Sequence, residues 1–150
     1  MIKRFDHCTI CVRDLDAAKS FFGLLGFQEE SHKTTVIKGE VFSGYMGVDN
    51  IEADHVTLVV PGLSPRFEIQ LLHYRSPEAA VDPLSGRLDK TGYNHICFAV
   101  DDAEALIEKL RGHGVEVRGE LKNFHDRLLY FVTGPEGITI ELAQWGIEAG

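Results

Sequence analysis

Two histidines, His7 and His95, each stand near the start of a short β-rich run, and Gln70 and Glu141 each stand inside a later one. Two imidazoles, an amide oxygen and a carboxylate can ligate Zn, Ni, Co, Mn or Fe(II). The mixture suits a six-coordinate centre that keeps positions open for water or substrate. Gln70 and Glu141 share a local frame, Ile69-Gln70-Leu71 and Ile140-Glu141-Leu142. In a strand the middle residue of such a frame points to the face opposite its apolar neighbours. Any one of the four alone reads as an ordinary hydrogen-bonded strand residue, although a buried Glu is costly without a partner. It is their recurrence that argues for one shared site and one divalent metal ion.

The recurrence is an internal repeat. FDHCTICVRDLDAAKSFFGLLGF, from Phe5, superposes without a gap on YNHICFAVDDAEALIEKLRGHGV, from Tyr93, at a constant offset of 88. His7 falls on His95, Val12 on Val100, Asp14 on Asp102, Ala17 on Ala105 and Gly26 on Gly114. In each copy a β-rich run passes through an Asp suited to helix capping into apolar positions at helical spacing: Leu15, Ala18, Phe22 and Leu25, then Ala103, Leu106 and Leu110. Gly26 and Gly114 are placed to end those helices.

Further strands follow each helix. The second copy supplies VEVRGE, RLLYFVT and GITIELAQW, the last two joined by the tight-turn sequence Gly134-Pro135-Glu136-Gly137. The first supplies FQEESHKTTVI, HVTLVV and RFEIQLLHY, with a Gly-containing insertion from Lys38 to Asp54. The expected plan is α+β: two βαβββ modules, 1–74 and 92–150, joined by a linker over 75–91 within one domain, 1–150.

Composition excludes several classes. At 44% hydrophobic and 25% charged residues the 150-residue chain matches a globular domain, not a disordered or fibrous one. With 15 Lys and Arg against 23 Asp and Glu, net −8, and no basic cluster, no nucleic-acid partner is expected. No apolar run approaches the ~18 residues of a membrane span, and MIKRFDHCTI lacks a signal-peptide core, so a cytoplasmic protein with no membrane partner is expected. Three cysteines, an odd number, fit reduced thiols. Cys8 and Cys11 form a CxxC, but within a strand residues three apart face opposite sides, so a redox pair is not expected.

The segments FDHCTICVRDLDAAKSFF, IQLLHYRSP, YNHICFAVDD and GPEGITIELAQW resemble the vicinal oxygen chelate superfamily, which includes glyoxalase I, methylmalonyl-CoA epimerase, extradiol dioxygenases and fosfomycin- and bleomycin-resistance proteins. The resemblance covers residues 5–146. It implies paired βαβββ modules forming a curved mixed sheet around a metal site, within one chain or across a homodimer. It also places the family's ligands on His7, Gln70, His95 and Glu141, the set already reached from the repeat.

A divalent ion chelating two adjacent substrate oxygens acts as a Lewis acid and favours loss of a proton beside a carbonyl. The ligand order His, Gln, His, Glu resembles methylmalonyl-CoA epimerase, and a glyoxalase/epimerase-type lyase or isomerase acting on a small-molecule substrate is the function it implies. By analogy with glyoxalase I the base is Glu141. The epimerases use a further Glu on the strand before the Gln ligand; here that strand, HVTLVV, has no carboxylate, and His55 at its start is the substitute. Two alternatives stand beside this reading. An Fe(II) extradiol-type dioxygenase would use His7, His95 and Glu141, and a non-catalytic drug- or metabolite-binding protein would need no ligand set. His73, three residues after Gln70, is expected on the opposite face and outside the site. Arg66, Arg75, Arg87, Lys90, Lys122 and Arg127 could hold an anionic substrate such as a coenzyme A thioester or glutathione adduct, but they form no motif and solvated surface is the expectation.

Overall fold

A computed structural model describes residues 1–146, with residues 120–123 as backbone only. Among the described residues no helix is long and apolar enough to cross a membrane. The chain forms two compact units, Met1–Val81 and Asp82–Gly150.

The second unit follows the plan read from the repeat: β6 (Ile96–Ala99), α3 (Ala103–Gly112), β7 (Val117–Asn123), β8 (Arg127–Thr133) and β9 (Thr139–Trp145). Its sheet has the order β6-β9-β8-β7, with β6 parallel to β9 and the other pairs antiparallel. Helix α3 begins where the Asp102 carboxylate accepts the Ala105 N–H, an N-cap bond that fills one of the helix's orphan donors. The turn at Pro135–Gly137 joins β8 to β9, and Gly137 takes a φ of 76° there, which glycine adopts without a steric penalty.

The first unit holds the same strand-helix opening, β1 (His7–Cys11) and α1 (Leu15–Leu24), the helix capped by Asp14 on the Ala17 N–H. It then departs from a single strand. The segment expected as one strand is split by a 3₁₀ turn at Ser31–Lys33 into β2 (Gln28–Glu29) and β3 (Thr35–Lys38), both antiparallel to β4 (Glu52–Val59). The insertion carries a short helix, α2 (Glu40–Met46), closed by Gly47 in the left-handed conformation. The last strand, β5 (Glu68–Ser76), lies between β4 and β1, antiparallel to the first and parallel to the second.

In each unit the sheet is apolar on the face that carries the helix. Ala18, Phe21 and Phe22 of α1 are buried, as are Ile69 and Leu71 of β5; in the second unit Ala103, Ile107 and Leu110 of α3 are buried, as are Ile140 and Leu142 of β9. Burying a Phe, Leu or Ile side chain contributes roughly 1.5–3 kcal/mol. Both stripes are rotated slightly from the expected ones: Phe21 joins the first, and Ile107 rather than Leu106 enters the second. Strand alternation then sends Gln70 and Glu141 to the opposite faces, away from the helices.

Candidate metal centre

On the face of the first unit's sheet opposite α1, pairing brings three strands together around Gln70. Thr9 of β1 is its partner on one side and Thr57 of β4 on the other, while His7 stands opposite Glu68. The Gln70 amide is fixed at both ends. Its Nε2 donates to Glu68 Oε2 at 3.0 Å, which turns Oε1 toward Thr9 Oγ1 at 3.3 Å and His55 Nε2 at 3.1 Å. Because that oxygen can only accept, the hydrogen in the His55 contact lies on His55 Nε2.

His55 is therefore not at the start of a strand. Strand β4 begins at Glu52, three residues earlier than HVTLVV suggests, because Glu52 and Ala53 also pair with β5 across a register shift. His55 is half-buried within the strand, hydrogen-bonded to a candidate ligand. His7 is 44% exposed, and its Nδ1 contacts Asp6 Oδ2 at 3.0 Å. His73 lies on the other face, with Asp54 at 3.2 Å.

The second unit pairs the other two candidate ligands directly. His95 Nε2 is 2.8 Å from Glu141 Oε2, and Glu141 is only 5% exposed. Asn94 donates its amide N–H to the Leu88 carbonyl, so its Oδ1 faces His95 Nδ1, 2.6 Å away, and accepts that hydrogen. The His95 ring also meets Phe131 edge-on, with centroids 5.4 Å apart. Glu141 Oε1 has no hydrogen-bond partner. Desolvation and the adjacent carboxylate push the thiol of Cys97, the register partner of Glu141, up to about 11. Cys8 and Cys11 lie on β1 with opposite strand parity.

Within neither unit, among the described residues, do three His, Cys, Asp or Glu side chains form a metal cage by themselves. Each unit carries two of the four candidate ligands on the sheet face opposite α1 or α3.

Residues 4–142 match the family model of the Glyoxalase/Bleomycin resistance protein/Dioxygenase superfamily. The chain belongs to this superfamily. An ethylmalonyl-CoA/methylmalonyl-CoA epimerase of Cereibacter sphaeroides is 30% identical to it over 122 residues, covering 79% of this chain and 77% of that protein. Glyoxalase I of Saccharomyces cerevisiae is 35% identical over 57 residues, 38% of this chain and 18% of the yeast protein. Among solved structures, a glyoxalase family protein from Bacillus cereus superposes with a TM-score of 0.85 at 28% identity, covering 96% of this chain and 95% of that one. The α+β fold expected from the repeat is thus the fold of the superfamily.

Two residues beside the candidate ligands of this superfamily member differ from the sequence reading, which does not single out Glu68 and expects Arg127 as solvated surface. Glu68 lies two residues before Gln70 on the same face, and strand parity was the available signal. Arg127 is not solvated surface. Its side chain is 23% exposed, stands 4.9 Å over the Trp145 ring and reaches to 3.8 Å from Glu141 Oε1. Arg66, Arg75 and Arg87 are paired with Asp or Glu at the surface, and Lys90, 22% exposed, is paired with Asp82. The side chain of Lys122 falls outside the described residues.

Proposed function

We propose that this chain is a divalent-metal-dependent isomerase or lyase that moves a proton at a carbon beside a substrate carbonyl, with His7, Gln70, His95 and Glu141 as the metal ligands. The observation that carries the reading is the arrangement of outer hydrogen bonds. Asp6 stands at His7 Nδ1, Glu68 takes the Gln70 amide N–H, and Asn94 takes the His95 Nδ1 hydrogen. In each case an acceptor occupies the nitrogen that would not ligate. His7 Nε2, Gln70 Oε1 and His95 Nε2 are thereby left as the donor atoms, as outer partners leave them in metal sites generally.

The fourth ligand fits the same reading. A buried carboxylate oxygen without a donor is costly, and the free Oε1 of Glu141 is such an oxygen. His95 Nε2 and Glu141 Oε2, 2.8 Å apart, would both turn to a bound divalent ion, and Gln70 Oε1 would do so by giving up the longer of its two hydrogen bonds, the one from Thr9. Bound there, a divalent ion acts as a Lewis acid on a chelated carbonyl and acidifies the neighbouring C–H. The similarity to an epimerase supports this class of chemistry.

The chain's own residues divide the remaining work. Glu141 is the only carboxylate of the ligand set and serves as the base that accepts the proton from carbon. His55, whose Nε2 hydrogen is given to Gln70, holds the amide oxygen in place. Metal analysis of protein purified without added metal, followed by solvent-deuterium incorporation into 2-methyl-branched acyl thioesters and 2-oxoaldehyde–thiol adducts, tests the proposal. One bound divalent ion with exchange into one of these classes is expected. A protein that takes up no divalent ion, or one that cleaves catechol with oxygen uptake and exchanges no proton, overturns it.

A further inference from the structure

His95 is oriented by Asn94, and Asn94 is oriented in turn by the Leu88 carbonyl, 2.6 Å from its amide nitrogen. What fixes that carbonyl lies on β7. Arg118 stands opposite Phe131, which stands opposite Glu141, so its side chain leaves the sheet on the face of the two candidate ligands. Its guanidinium donates to four neutral oxygens: Nε to Thr133 Oγ1 at 3.0 Å, Nη1 to the Gly86 carbonyl at 2.8 Å and to Thr139 Oγ1, and Nη2 to the Gly137 carbonyl at 3.3 Å. Thr139 is fully buried and donates its own hydroxyl to the Gly86 carbonyl at 2.8 Å, so both lone pairs of that oxygen are taken.

Thr133 ends β8, Thr139 opens β9, Gly137 belongs to the turn between them and Gly86 to the segment before β6. One planar fork therefore ties that segment to the sheet from several directions at once, as a point charge would not. The seat is close, because a Cβ at Gly86 would overlap the Gly137 carbonyl oxygen. From seat to carbonyl the segment is a hydrogen-bonded turn: the Asp82 side chain accepts the Leu84 N–H at 2.8 Å, and the Leu84 carbonyl accepts the Arg87 N–H at 2.9 Å. A shift at Gly86 thus reaches Leu88, two residues on. We infer that Arg118 is a positioning residue for His95: by seating Gly86 it holds the Leu88 carbonyl that turns Asn94 Oδ1 onto His95 Nδ1. The inference rests on the proposed function for the ion that His95 Nε2 would hold.

The test reads His95 first without metal and then through metal affinity. In protein stripped by chelator, nitrogen-correlated proton NMR should show the His95 Nδ1–H as a slowly exchanging resonance, since its bond to Asn94 protects it from water. Asn94→Ala, Arg118→Met and Gly86→Ala should each lose that resonance. Gly86→Ala leaves the side chains of the sheet unchanged and carries the test should Arg118→Met not fold. Chelator competition then measures the coupling: Asn94→Ala should weaken metal binding by about 10-fold, and Arg118→Met by at least about threefold in the wild-type background but by almost nothing when Asn94 is already Ala. A wild type without the resonance, or Arg118→Met and Gly86→Ala proteins that keep it, overturns the inference. So does an Arg118→Met loss of equal size in both backgrounds, which would make Arg118 a general support of the sheet. A wild type that takes up no divalent ion refutes the proposed function, and loss of the resonance in the variants still upholds the positioning of His95; a metal-binding protein whose resonance ignores Arg118 and Gly86 does the reverse.

Discussion

Gln70 Nε2 donates to Glu68 Oε2 at 3.0 Å, and the two side chains lie on the same face of one strand, two residues apart. An amide is nearly symmetric in shape, so nothing about its packing decides which end presents the oxygen. An ionised carboxylate only accepts, and it thereby decides. Glu68 is itself held by Arg66 and Lys33, at 2.7 Å and 3.2 Å. A surface ion-pair cluster therefore sets the orientation of a candidate ligand.

Removing that acceptor should cost metal affinity. In Glu68→Met the amide is free to turn its nitrogen toward the ligand position, and an outer-partner loss of this kind weakens metal binding by about 10-fold or more. Glu68→Gln retains one carbonyl oxygen that can accept from Gln70 and should lose less. Competition with a chromogenic chelator measures both, and unchanged affinity in Glu68→Met would remove Glu68 from the site.

The same carboxylate should write itself into the pH dependence of folding. Burial raises the affinity of Glu68 for a proton, but hydrogen bonds from Gln70, Arg66 and Lys33 outweigh it and bring the carboxyl down to about 2 from an ordinary 4.5. A carboxyl depressed on folding contributes stability that is fully present above its unfolded value and lost as pH falls through the folded one. A shift of this size corresponds to something on the order of 3 kcal/mol. Glu68→Gln should therefore be destabilised at pH 7, and its deficit against wild type should shrink as pH falls from about 4.5 toward 2. Urea melts across that range measure the difference, and a pH-independent gap would show that the carboxylate's charge is not what stabilises this cluster.

How much of this was legible in the sequence follows from the range of the interactions. The repeat, the caps at Asp14 and Asp102 and the faces of Gln70 and Glu141 depend on local rules, and the structure has all of them. Helix α2 was not legible. Its seven residues, EVFSGYM, include a glycine and lie between Gly39 and Gly47, and they bury no large side chain to leave an apolar stripe. Nor was the break between β2 and β3, because Ser-His-Lys makes a turn only when the strands on either side both find β4. The place of Arg127 depends on its cross-strand pairing with Trp145, which composition and spacing do not encode.

Three histidines separate ligation from mere presence on β1, β5 or the approach to β6. His7→Ala and His95→Ala should each lower metal occupancy by about 10-fold or more at a fixed chelator concentration, since each removes a direct donor. His73→Ala should not, because its ring is on the helix-side face beside Asp54. Elemental analysis after dialysis gives the comparison. Equal occupancy in all three variants would remove the ligand assignment.

The division of labour between Glu141 and His55 is the most exacting test of the proposed chemistry. Glu141→Gln keeps an amide oxygen to hold a cation, as Gln70 does, but cannot take a proton from carbon. Metal should remain in part while solvent-deuterium exchange into bound substrate falls by about 100-fold or more, the usual size of a general-base contribution. His55→Ala removes the Nε2–H donor to Gln70 Oε1 without touching Glu141. If His55 only holds the amide, its loss weakens metal binding, and exchange measured at saturating metal is restored to within a few-fold of wild type. If exchange in His55→Ala stays abolished at saturating metal while Glu141→Gln exchanges at the wild-type rate, the base is His55, and Glu141 is a ligand alone.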